Sequence, residues 1–113
     1  MIRTKRVYEQ PSDEDGFRVL VDRLWPRGLA KEAARIDFWA KEIAPSDHLR
    51  KWFSHDPAKW DEFRRRYKRQ LEGNEELWTL RTIVKEKGGV TLVYAAKDES
   101  RNNAVALKGV LQE

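Results

Sequence analysis

Residues 21–28, V-D-R-L-W-P-R-G, gather the side chains best suited to chemistry. Asp22 can serve as a general base, a metal ligand or an orienting group. Arg23 and Arg27 each carry a planar fork of donors that grips phosphate or carboxylate better than an ammonium does. Trp25 can wall a pocket, and Gly28 can admit close backbone approach. A second group, Tyr94, Lys97 and Asp98, lies far along the chain, where Lys97 can stabilise developing negative charge. Asn102 and Asn103 follow at the start of a predicted helix, whose free N–H groups favour an anion. Each group also has a plainer reading. Asp22 can pair with Arg23 or Lys97, an arginine can lie over the Trp25 ring, and Asp98 can cap the helix.

Rigid elements must deliver these groups. Val19, Leu20 and Val21 form the continuous apolar run of a strand buried on both faces, so a strand is predicted over 17–24. A second such strand is predicted over 90–96, V-T-L-V-Y-A-A, after the break at Gly88-Gly89. A weaker alternation predicts a first strand over 2–8. Helices between them imply a crossover and a parallel pair, which places the ends of both strands, and their charges, at one edge of the sheet.

The helices announce themselves by caps and spacing. Ser12 can cap a single turn before Gly16. Ile36, Trp39 and Ile43 sit three and four apart, predicting an apolar helical stripe that stops at Pro45. Ser46 caps a short helix bearing Leu49, Trp52 and Phe53. Asp56-Pro57 opens the helix 57–72, with Trp60, Phe63, Tyr67 and Leu71 on one face. Gly73 ends it, Asn74 caps the next, and a last helix turns Ala104, Leu107, Val110 and Leu111 inward. Trp52, Phe53, Trp60 and Phe63 read as core rather than as a stacking platform.

Bulk properties bound the possibilities. The 113 residues suit a single domain. The absence of Cys excludes disulfides, thiol nucleophiles and thiolate metal sites within this chain. No apolar run is long enough for a membrane helix and no signal-peptide core opens the chain, so a cytoplasmic protein without a membrane partner is expected. His48 and His55 are seven apart, unlike a helical metal pair, and no metal site is expected. The chain is basic, with a formal net charge of +4. Arg64, Arg65, Arg66, Lys68 and Arg69 surround Tyr67 in a run that can meet nucleic-acid phosphates. Asp61, Glu62 and Glu72 are placed to neutralise it through helical pairs.

The motifs V-D-R-L-W-P-R-G at 21–28, L-R-K-W-F-S-H-D at 49–56 and L-V-Y-A-A-K-D at 92–98 together resemble the domain of unknown function 488 family, in its short, YeaO-like branch. The resemblance implies a fold and a set of shared residues, not an activity. Members often carry Asn-His-Ala after the last strand; here the residues are Asn102-Asn103-Ala104, so an acid–base role for that histidine has no bearer. Longer relatives carry a cysteine that this chain lacks.

The expected fold is a single α/β domain over 1–113, with a small, mostly parallel sheet of three or four strands and about five helices. The leading functional expectation is binding, with turnover left open, of a small phosphate- or carboxylate-bearing metabolite at the carboxyl edge of the sheet. Asp22, Lys97 and Asp98 would be the catalytic candidates. Arg23, Trp25, Arg27, Gly28, Tyr94, Asn102 and Asn103 would form the ligand shell. No cofactor is specified. The alternatives are a nucleic-acid-binding accessory domain using the helix 57–72, and an interaction module without chemistry.

Overall fold

The computed structural model describes residues 1–113. Four strands, β1 (Ile2–Arg6), β2 (Phe17–Leu20), β3 (Phe38–Trp39) and β4 (Val90–Tyr94), form one sheet in the order β1-β4-β2-β3. All three pairings are parallel. Five helices surround it: α1 (Lys31–Ala34), α2 (Asp47–Phe53), α3 (Trp60–Leu71), α4 (Glu75–Lys87) and α5 (Asn103–Leu111).

The two apolar runs lie side by side. β4 is paired on both sides and every one of its residues is buried, as a central strand requires. Val19 faces Leu92 and Leu20 faces Val93 in register. Alternation then sends the two faces into different surroundings. Val19, Val21, Val90, Leu92 and Tyr94 join the main core with Leu49, Phe53, Phe63, Tyr67, Leu80 and Leu107. Val7, Leu20 and Val93 face the other way, under Trp25, Leu29, Ile36 and Trp39.

Helix starts follow the expected caps at Ser46, Asp56 and Asn74, and Asn102 rather than Asp98 caps α5. The Ser46, Asn74 and Asn102 side chains accept from the third amide of α2, α4 and α5. Asp56 caps a 3-10 turn, Pro57–Lys59, that leads into α3. Phe63 and Tyr67 are buried, Trp60 is half-buried against Phe53 and Phe63, and Arg65 and Lys68 are exposed.

Several boundaries differ from expectation. The stripe of Ile36, Trp39 and Ile43 does not form a helix. Its centre is the edge strand β3, flanked by α1 and a 3-10 turn, Lys41–Ile43. Pairing decided this: the Asp37 amide donates to the Arg18 carbonyl, the Ala40 amide donates to the Leu20 carbonyl, and the Asp37 carboxylate accepts from the Arg18 amide. The strands are also shorter than predicted. β1 ends at Arg6, β2 at Leu20 and β4 at Tyr94. The Arg6 guanidinium takes the carbonyls of Ala95 and Ala96, at 3.1 and 2.9 Å, and so ends the ladder there.

A buried charged network on the second face had no warning in the apolar pattern. Arg18 and Asp15 pair at 2.6 Å with both side chains almost wholly buried. Lys5 adds a contact of 3.1 Å to Asp15, and Arg18 donates twice to the Ala34 carbonyl. Burial pushes the Asp15 carboxyl up, but the Ser12 amide and the Lys5 and Arg18 donors outweigh it and hold it below the usual range.

Candidate functional site

The loops after β2 and β4 leave the sheet at the same edge, because the strands are parallel neighbours. Asp22 fills the gap between them. One carboxylate oxygen accepts from the Ala95 amide at 2.8 Å, and the other accepts from the Asn103 side-chain amide at 3.0 Å. Asn103 also donates to the Val21 carbonyl, and Trp39 donates to the Asp22 carbonyl at 2.8 Å. Asp22 therefore ties β2, β4 and α5 together. Burial raises its carboxyl above the usual range, with the two hydrogen bonds opposing the rise.

The other predicted residues separate into two sets. Arg23 turns inward, donating to the Ala44 carbonyl and pairing loosely with Glu42 at 3.8 Å. Asp98, expected as a catalytic candidate with capping of α5 as its plainer reading, anchors its own loop and does not cap the helix. It accepts from the amides of Ser100 and Arg101 and from the Arg101 guanidinium, which together hold its carboxyl low. Asn102 caps α5, its side chain donating to the Asp98 carbonyl. Tyr94 is buried in the main core; burial, then the charge of Glu99, raises its hydroxyl. Trp25 donates to the Leu29 carbonyl at 2.6 Å and meets Trp39 edge-on. Gly28 has φ of +76° and open space where a Cβ would stand, so it serves the turn and not a close approach.

Arg27 and Lys97 remain exposed, and neither side chain enters an ion pair. Two residues outside the predicted set, Arg6 and Tyr8, link their loops. Arg6 grips the carbonyls just before Lys97 and lies over the Tyr8 ring at 5.3 Å. The Tyr8 hydroxyl donates to the Arg27 carbonyl at 3.0 Å. The only signal for this pair in the sequence was their place at the end of β1, next to the predicted edge.

A second buried tyrosine backs this edge. Tyr67 donates to the Ile43 carbonyl at 2.6 Å, and burial with the nearby Asp22 charge raises its ionisation far above the ordinary value. Every buried side-chain donor and acceptor has a partner. No three acidic or imidazole groups converge as metal ligands. No helix is long and apolar enough to cross a membrane. On α3, Arg64 pairs with Asp61, Arg65 and Arg66 share Glu62, and Lys68 meets Glu113. Only Arg69 of that basic run lacks a carboxylate partner.

A parallel α/β sheet with a clamped acidic residue at its carboxyl edge defines the class. The whole chain, residues 1–113, matches the model described as the inactive DUF488-N3 subclade, and the chain belongs to that family. It is 41% identical over 110 residues to the uncharacterized protein Rv3073c of Mycobacterium tuberculosis, covering 97% of this chain and 92% of the relative. It is also 41% identical over 106 residues to the uncharacterized protein YeaO of Escherichia coli, covering 94% and 92%. No solved structure matches.

Proposed function

We infer that this domain binds a small phosphate- or carboxylate-bearing ligand at the carboxyl edge of its sheet and performs no chemistry on it. The observation that carries this reading is the contrast between Asp22 and the cations around it. Both Asp22 oxygens accept from protein donors that tie the strand ends to α5, so its carboxylate serves the fold as a clamp. Asn103 is an amide and transfers no proton. Arg27 and Lys97, by contrast, are exposed and unneutralised, on loops joined through Arg6 and Tyr8. Asp98 is spent on its own loop. The description of the family as inactive agrees with this reading.

The test is thermal unfolding against inorganic phosphate, sugar phosphates, nucleotides and small dicarboxylates. A saturable rise in Tm is expected with at least one phosphate- or carboxylate-bearing compound, since a ligand of the folded state stabilises by mass action. Arg27→Ala and Lys97→Ala should each abolish the rise without lowering the ligand-free Tm. A flat response across the panel, or a rise that survives both substitutions, would overturn the reading.

A further inference from the structure

We propose that the groove between the end of α3 and the outer face of α4 docks an acidic segment of a partner protein, with Trp78 as its apolar anchor. The groove shares no residue with the sheet edge, and its volume is about 330 Å3. Leu71, Glu72 and Leu77 line it, and Trp78, Arg81 and Lys85 stand along α4.

Trp78 differs from every other tryptophan of the chain. Trp25 and Trp39 donate to backbone carbonyls and pack edge-on against each other. Trp52 lies between Lys59 and Arg66, and Trp60 stacks in the aromatic core. Trp78 makes no such contact and is 74% exposed. A large ring left in water beside a groove is costly surface without a partner, and tryptophan leads the residues that anchor protein interfaces.

Charge selects the occupant. Arg81 and Lys85 lie one helical turn and two turns beyond Trp78, on the same side of α4. Neither is in an ion pair, although nearly all the arginines of α3 are. They outnumber Glu72, the one carboxylate in the lining. An apolar side chain placed against Leu71, Leu77 and Trp78, with flanking carboxylates on Arg81 and Lys85, would satisfy all of these features. Two cations beside an apolar floor suit a peptide better than a nucleic-acid backbone, which asks for a longer positive track.

The probe is a short synthetic peptide rich in Asp and Glu around a Leu-Leu-Phe anchor, titrated into the isotope-labelled full chain and followed by two-dimensional NMR. Saturable shifts are expected at the Trp78 indole N–H and at amides of residues 71–85. Trp78→Ala and Lys85→Glu should each weaken binding about tenfold or more. Arg81→Glu also breaks a hydrogen bond to the Val110 carbonyl, so Lys85→Glu, free of that complication, carries the charge test. No saturable shift, shifts confined to other surfaces, or equal binding by a Lys-rich version of the peptide would overturn the proposal. Tighter binding of a single-stranded oligonucleotide at the same resonances would also overturn it and make the groove a nucleic-acid surface.

Discussion

The Asp22 carboxylate accepts the Ala95 amide hydrogen at 2.8 Å, joining the ends of two strands that are distant in the chain. Its other oxygen holds Asn103 at the start of α5. Asp22 is thus a three-way clamp. Asp22→Asn keeps one acceptor and turns an NH2 group toward a donor, so it should lower stability by about 1–3 kcal/mol. Asp22→Ala, which leaves both donors unmet, should cost more than Asp22→Asn. Urea unfolding followed by circular dichroism measures both. Losses under about 0.5 kcal/mol, the scale of an ordinary surface substitution, would show that the edge holds together without the clamp.

The same carboxylate makes a signed prediction in pH. Its folded pKa is raised, so the folded state holds the proton more tightly than the unfolded chain. Its contribution to stability therefore falls as pH rises from about 3.9, the unfolded value, through the folded value. Asp15 runs the other way: its folded pKa is lowered, so its contribution is lost as pH falls. The stability difference between wild type and Asp22→Asn should thus shrink as pH rises through the acid range. For Asp15→Asn it should grow. A difference for Asp22→Asn that widens with pH would mean that its hydrogen bonds outweigh its burial.

What was legible in the sequence follows from which interactions are local. Caps at Ser46, Asp56 and Asn74 act within one turn, and the sequence places each correctly; at α5 it offers Asp98 as the cap, whereas Asn102 takes that role. The two apolar runs reveal parallel strands because a strand buried on both faces needs no partner to be recognised. Asp22 stood out as charge ending such a run, but Asn103 was read as ligand shell rather than as the donor that occupies Asp22. The helical reading of Ile36, Trp39 and Ile43 failed because β3 is only two residues long and owes its state to β2. Beyond their place at the end of β1, nothing in the sequence marks Arg6 and Tyr8, because a weak edge strand gives no sign of what its ends will touch.

The Arg18–Asp15 pair was equally hidden, since a single arginine in F-R-V-L looks like a solvated alternation. Buried as it is, it cannot be halved cheaply. Arg18→Ala should cost about 3–5 kcal/mol, because it strips Asp15 of its closest cation and leaves the Ala34 carbonyl without its donors. Replacing both residues together, Asp15→Asn with Arg18→Met, should cost less than the sum of the single changes. A double-mutant cycle in urea gives the coupling, and strict additivity would mean that the two charges do not support one another.

Gly16 is where β2 is set against β4. Its φ is +64°, and an added Cβ would lie 2.5 Å from the Gly89 carbonyl oxygen. That same oxygen accepts the Phe17 amide at 3.0 Å, the bond that opens the β2–β4 ladder. Gly16→Ala must therefore displace the first rung as well as force a left-handed backbone. Gly28 provides the control: its φ is +76° with nothing within 4 Å of a Cβ. Gly28→Ala should cost only the backbone term, about 1–2 kcal/mol. Gly16→Ala should cost clearly more, and should speed hydrogen exchange at the Phe17 amide, which Gly28→Ala should leave unchanged. Equal costs, with Phe17 still protected, would show that the Gly89 carbonyl gives way freely and that the strand register is held further along, at Val19–Leu92 and Leu20–Val93.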